Sequence, residues 1–222
     1  MLTALSEHCS SLISTSVSRH ATATVLLSGG STPRPLYELL AARDLPWFRV
    51  QAALVDERLV APDHEASNEG MVRMAMQPAI SRGLTVHGLF DGISSLDKCI
   101  EQANRNYAAL PKPWTFTLLG MGSDGHTASL FPHARGLLNA LSSPDFCVPI
   151  TASPSAVTGP WLERISLGLK GLLSTEHLIL LITGKTKWQV YRHAMTHANM
   201  LDSPVSFVLQ QQKVPLDVYW CP

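Results

Sequence analysis

An acid and an imidazole stand two places apart in this chain, at Asp124 and His126, with Gly120, Gly122 and Gly125 around them and an apolar run, residues 115–119, just before. Acid–base chemistry is what such a pair offers, provided the backbone holds both side chains where a ligand can reach them. The run Thr-Phe-Thr-Leu-Leu has the composition of a strand buried on both faces, and the glycines after it permit backbone angles that larger residues resist. Asp124 and His126 therefore sit just beyond the carboxyl end of a strand, where open α/β sheets bind ligands. Asp-Gly-His alone is also an ordinary turn, since these residues favour turns. The longer order of strand, glycines, acid, imidazole, then Ser129 and Phe131-Pro132 points to a site.

Other stretches put polar or charged groups at comparable positions. Residues 21–27 read as a buried strand that runs into Ser28-Gly29-Gly30-Ser31-Thr32-Pro33 and then a helix from Arg34. Ser31 or Thr32 can cap that helix and Pro33 fits its first turn, leaving free N–H groups and the positive end of the dipole at a turn open to an anion. This is a seat for a phosphate or a plain capped β-α turn. No GKS or GKT follows and GxGxxG is absent, so it is neither a P-loop nor a dinucleotide fingerprint. Residues 50–55 form a second strand, ending in Asp56-Glu57-Arg58. Residues 177–182 form another, ending in Thr183-Gly184-Lys185-Thr186-Lys187 before a helix from about 188 to 198. A lysine in a first turn opposes the dipole, so it needs either an anionic partner or solvent.

Around these stretches the expected elements are a covering helix over 2–19, a helix from Ser67 whose Met71, Met74 and Met76 pack into the core, a short strand over 84–90 interrupted by Gly88, and a helix over 94–110. Residues 134–144 read as irregular or weakly helical, 146–150 as a strand, and 164–169, which alternates after Arg164, as another. The loop over 151–163 could close on a ligand, His64 belongs to a solvated loop, and 205–209 and 216–220 look like closing strands.

The 222 residues suffice for one large α/β domain, spanning 1–222, with a core that needs neither disulfide nor metal. A 45% hydrophobic, 15% charged chain of zero formal charge carries no electrostatic footprint for nucleic acid, so an anionic ligand must be held by a few placed cations. Cys9, Cys99, Cys147 and Cys221 form no CxxC pair and no zinc-type cluster, which fits free thiols in a reducing compartment. No secretory leader or bilayer-length apolar run is seen, so a cytoplasmic protein with no membrane partner is expected, monomeric by default.

Together, LSGGSTPRPLY, VDERLVAPDHEASN, LLGMGSDGHTASLFP, RISLGL, TGKTK and the closing PVSFVLQ with VYW resemble the 6-phosphogluconolactonase family over nearly the entire chain. The resemblance implies a Rossmann-like, mostly parallel sheet flanked by helices, related to glucosamine-6-phosphate deaminases. It implies hydrolysis of 6-phospho-D-glucono-1,5-lactone to 6-phosphogluconate in the oxidative pentose phosphate pathway, with no cofactor and no metal. By the same resemblance His126 is the general base, Asp124 orients it although residues two apart in a loop need not touch, and Arg58 is the active-site arginine with Asp56 fixing its geometry. Lys187 goes to phosphate with Gly29, Gly30, Ser31 and Thr32, and Arg164 is a further phosphate candidate or a strand-end surface charge. The rivals are a deaminase or sugar-phosphate isomerase and a non-catalytic sugar-phosphate-binding domain. The deaminase pattern carries a glutamate five residues past the histidine, where this chain has Phe131.

Overall fold

The computed structural model describes residues 1–196 and 199–222. Its elements in chain order are α1 (Leu2–His20), β1 (Ala23–Leu27), α2 (Arg34–Ala41), β2 (Val50–Leu54), β3 (Asp56–Arg58), α3 (Asn68–Ala75), α4 (Gln77–Ile80), β4 (Thr85–His87) and α5 (Leu96–Ala109). They continue with β5 (Phe116–Leu119), α6 (Leu137–Ser142), β6 (Cys147–Thr151), β7 (Glu163–Leu167), α7 (Leu169–Leu172), β8 (Leu178–Thr183), α8 (Lys185–Thr196), α9 (Val205–Gln210) and β9 (Leu216–Cys221).

Six strands form a wholly parallel sheet in the order β4-β2-β1-β5-β8-β9. Every residue of β1 and β5 is buried, as a sheet covered on both faces by helices requires. The chain builds outward from β1 through β2 to β4 and then returns to place β5 on the other side of β1. The carboxyl ends of β1 and β5 therefore flank the point where strand order reverses, the crevice in which such sheets bind ligands. Two buried tyrosines pin helices to this edge: the Tyr37 hydroxyl donates to Ser28 O at 2.7 Å and that of Tyr107 to Leu54 O at 2.5 Å.

A second, antiparallel sheet of β3-β7-β6 was not foreseen. The Asp-Glu-Arg segment does not prolong β2; it forms its own strand, with Arg58 opposite Arg164. Alternation was expected over 164–169, but Arg164, Ile165, Ser166 and Leu167 are all buried, so β7, the middle strand of its sheet, is covered on both faces along this stretch.

Helix α1 keeps Leu5, Cys9 and Ile13 on a buried face, and its serines are accommodated by local partners: Ser16 Oγ donates to Thr22 O and accepts from Thr115 Oγ1. Residues 205–209, expected as a strand, form α9. Pro204 starts the turn, and Val205, Ser206, Val208 and Leu209 are buried at helical spacing, so tertiary packing overrides the β preference of valine and phenylalanine. Met76 is fully buried, whereas Met74 is 66% exposed and stands clear of the core. The strand expected over 84–90 is confined to Thr85–His87, and Gly88, just past its end, lies against the Glu69 carboxylate. Helix α8 begins three residues earlier than expected, and its expected end at 197–198 lies outside the described residues.

Candidate active site

The turn after β1 is built to present backbone donors. Gly30 has φ +101°, a conformation that a side chain resists. Helix α2 starts one residue later than a Thr32 cap, and two later than a Ser31 cap, would have set it: Pro33 occupies the cap position, Pro35 the first turn, and no side chain caps the helix. The Ser31 and Thr32 hydroxyls are therefore not spent on the helix. Among the described residues, the amides of Gly29, Gly30, Ser31 and Thr32 donate to no other group. Ser28 Oγ donates to Leu118 O at 2.8 Å, tying this turn to β5.

The loop after β5 spends its hydrogen bonds internally. Gly122 N donates to His126 O at 2.9 Å, Gly125 N to Gly122 O at 3.1 Å, and Thr127 Oγ1 to Gly120 O at 2.8 Å. Asp124 Oδ1 lies 2.6 Å from His126 Nδ1 and accepts the His126 backbone N–H at 3.2 Å, so the two side chains do touch. A Cβ on Gly122 would fall 2.1 Å from His126 Nδ1, which is why this position has no side chain. A carboxylate can only accept, so Nδ1 carries a proton, and in the neutral imidazole Nε2 is left with its lone pair. Burial by itself raises the Asp124 carboxyl, but the hydrogen bonds and charge of His126 outweigh it and hold the group below the ordinary carboxylate value. The imidazole is held from its other side by the Phe131 ring, 4.5 Å away between centroids.

Strand β3 sends alternate side chains to opposite sides. Asp56 and Arg58 reach the crevice, while Glu57, only 1% exposed, turns away and accepts from Arg58 N, Asn68 N, Glu69 N and Ser67 Oγ at 2.7 to 3.0 Å. Its carboxylate thus caps α3. Burial raises its pKa and the four hydrogen bonds oppose that rise. Asp56 Oδ2 accepts from Ser129 Oγ at 2.5 Å, fastening β3 to the loop that carries His126. Arg58 Nη1 donates to Ala66 O at 2.5 Å. Half-buried His64 is not simply solvated: its Nδ1 accepts from Ala66 N and its ring meets Trp161 edge-on at 4.8 Å.

Gly29, Gly30, Ser31, Thr32, Asp56, Arg58, His126, Arg164 and Lys187 line one cleft of about 320 Å³, near the lower end of small-molecule sites. Asp124 stands behind His126 and does not line it. Lys187 is lowered by burial, with the charge of Asp124 pulling the other way. Arg164 is no surface charge. It is 4% exposed, with Nε on Trp161 O at 2.7 Å, Nη2 on Thr158 O at 2.8 Å and its guanidinium 5.5 Å from the Phe131 centroid. Burial first, and the neighbouring Arg58, lower it to about 10 against the pull of Asp56, so it stays charged at neutral pH. Among the described residues no three His, Cys, Asp or Glu side chains are grouped to hold a metal ion.

Residues 1–220 match the family described as glucosamine-6-phosphate isomerases/6-phosphogluconolactonase. The chain belongs to this family. A 6-phosphogluconolactonase of Xylella fastidiosa (strain Temecula1) is 35% identical over 205 residues, covering 92% of this chain and 85% of its own length. One from Pseudomonas putida is 35% identical over 202 residues, covering 90% and 80%. The crystal structure of a 6-phosphogluconolactonase from Shewanella baltica OS155 is similar over 99% of this chain and 92% of its own, with a TM-score of 0.92 and 34% identity.

In this member of the family the cleft also includes residues that the sequence did not single out as site residues, chiefly Asn68, Phe131 and Val157. Asn68 is the first residue of α3, after a Ser67 cap that donates to Glu57 and accepts from Gly70 N. Asp56 is the only carboxylate among the described residues that line the cleft. Phe131, where the deaminase pattern carries its glutamate, is 5% exposed and packed on His126.

Proposed function

We propose that this cleft hydrolyses 6-phospho-D-glucono-1,5-lactone to 6-phospho-D-gluconate, a step of the oxidative pentose phosphate pathway, with His126 as general base. One observation carries the reading: Asp124 holds the Nδ1 proton, so the free Nε2 belongs to an imidazole that shares its cleft with an uncapped glycine turn and Lys187.

A δ-lactone is an activated ester, so the protein need only position it, activate a water and stabilise the oxyanion. The phosphate lies against the amides of residues 29–32, the Ser31 and Thr32 hydroxyls and the Lys187 ammonium, with Arg58 and Arg164 supplying further positive charge. Nε2 takes a proton from the water as its oxygen bonds to C1. The carbonyl oxygen becomes an oxyanion, drawn toward the Arg58 donors not spent on Ala66. When the intermediate collapses, the bond from C1 to the ring oxygen breaks and that oxygen recovers the proton from the imidazolium. One base of this kind is worth about 10² to 10⁴ in rate.

A deaminase or isomerase reading has less to work with, because a second carboxylate for shuttling protons on an open-chain sugar is replaced by Phe131. All the proposed groups come from one chain, so a monomer suffices. Freshly generated phosphogluconolactone incubated with the purified protein should release acid well above the buffer rate; a rate equal to buffer overturns the reading.

A further inference from the structure

We propose that Asn68 reads a ring hydroxyl of the substrate, as a specificity residue of the cleft; this rests on the lactonase reading above. Asn68 is 3% exposed and lines the cleft between Asp56 and the glycine turn. Its amide orientation is fixed by chemistry. One end lies 2.8 Å from the Asp56 backbone carbonyl, which can only accept, so that end is Nδ2; it also approaches Asp56 Oδ1 at 3.4 Å. The other end is therefore the acceptor Oδ1. A Cβ built on Gly29 would fall 1.8 Å from it, so Oδ1 occupies the space that a side chain at 29 would need. Among the described residues Oδ1 accepts no hydrogen bond, and it is not among the sealed, unpartnered atoms of the interior. It opens onto the cleft.

The rest of the lining explains what such an atom is for. Arg58, Arg164, Lys187 and the amides of the glycine turn are all donors, suited to a phosphate and a carbonyl. The hydroxyls of a sugar ring must also donate, and a ring held between the glycine turn and His126 places them among these groups. The one carboxylate among the described lining residues, Asp56, already accepts from Ser129 Oγ at 2.5 Å and stands 3.4 Å from Asn68 Nδ2, whereas the Asn68 amide oxygen is unspent and accepts without adding charge beside a phosphate dianion. Asn68 supplies that acceptor, and the anchoring of Asn68 N on Glu57 Oε1 at 2.8 Å holds it in place.

The test compares kcat/KM for the parent phosphogluconolactone and its 2-, 3- and 4-deoxy analogues on the wild-type chain, Asn68→Ala and Asn68→Asp. The wild type should discriminate about tenfold against at least one deoxy analogue. Asn68→Ala should lose that discrimination, falling on the parent and hardly at all on the analogue lacking the bonded hydroxyl. The ratio between two substrates on one preparation is unaffected by a partly unfolded fraction. Asn68→Asp replaces the Nδ2 donor with an oxygen that faces the Asp56 carbonyl and carboxylate, so it should turn its acceptor away and lose the preference too; it carries the test if the alanine variant does not fold. Equal losses on all four lactones, a preference kept in either variant, or a wild type that prefers none of them overturns the proposal. A wild type inert toward the parent lactone instead sinks the lactonase reading itself.

Discussion

The turns that follow β1 and β5 are neighbours at the same edge of the sheet, yet they treat their hydrogen bonds in opposite ways. Residues 29–32 leave their amides unspent among the described residues, above a helix that no side chain caps. Residues 120–129 close on themselves and on Asp56 through at least six bonds involving Gly122, Gly125, His126, Thr127 and Ser129. A loop proposed to grip an anion keeps its donors for the ligand, while a loop proposed to aim an imidazole satisfies itself so that the ring has one orientation. Both need glycine, for different reasons: Gly30 for its left-handed φ, Gly122 for the missing side chain that lets Asp124 and His126 meet.

The sharpest way to break this contrast is His126→Ala. It should lower kcat by about 10² to 10⁴ while binding of 6-phosphogluconate stays near normal; if binding falls in step with turnover, the two loops do not divide the work. Next in size, Lys187→Ala should reduce kcat/KM on the phosphorylated lactone by about 10- to 100-fold and leave unphosphorylated gluconolactone nearly unchanged. Equal losses on both would remove Lys187 from the gripping side.

Glu57→Gln tests the cap of α3, which holds Asn68 at the cleft. The four donors that converge on this buried carboxylate cannot all be met by an amide, so unfolding free energy should drop by about 1 to 3 kcal/mol in denaturant melts. An unchanged midpoint would show that the α3 cap is dispensable. The smallest effect concerns acid. Asp124 titrates below its ordinary value of 3.8 in the fold, so its contribution to stability is present above that value and fades as pH falls through the lower, folded one. Wild type and Asp124→Asn should therefore differ in stability at neutral pH and converge in strong acid; a constant gap would mean that the carboxylate's link to His126 is not what lowers it.

Much of the parallel sheet was legible because runs such as 178–182 are apolar without interruption, and only a strand covered on both faces needs that. The small sheet was not, since β3 has three residues and its partner β7 lies over a hundred positions away. Helix α9 was misread because Val-Ser-Phe-Val-Leu carries local β preference, and the burial that decides otherwise comes from the packed interior. Most of the cleft was foreseen through its charged and glycine residues, whose types stand out at strand ends. Asn68 was not, because at the start of a helix an asparagine after serine looks like ordinary capping, and its chemistry depends on the Asp56 carbonyl that fixes its amide. Arg164 was named, but nothing in the chain's local pattern told a buried clamp on the 158–161 carbonyls from an exposed strand end.

The misread helix has a consequence for biosynthesis. Val205 N donates to Gly125 O at 2.9 Å, and His133 N to Leu201 O at 3.2 Å, so a late segment clasps the loop that bears Asp124 and His126. During translation the loop of Asp124 and His126 emerges long before its clasp. A nascent chain halted ahead of residue 199 would already hold the glycine turn and both lysines of α8, yet its imidazole would lack the brace that completes its setting.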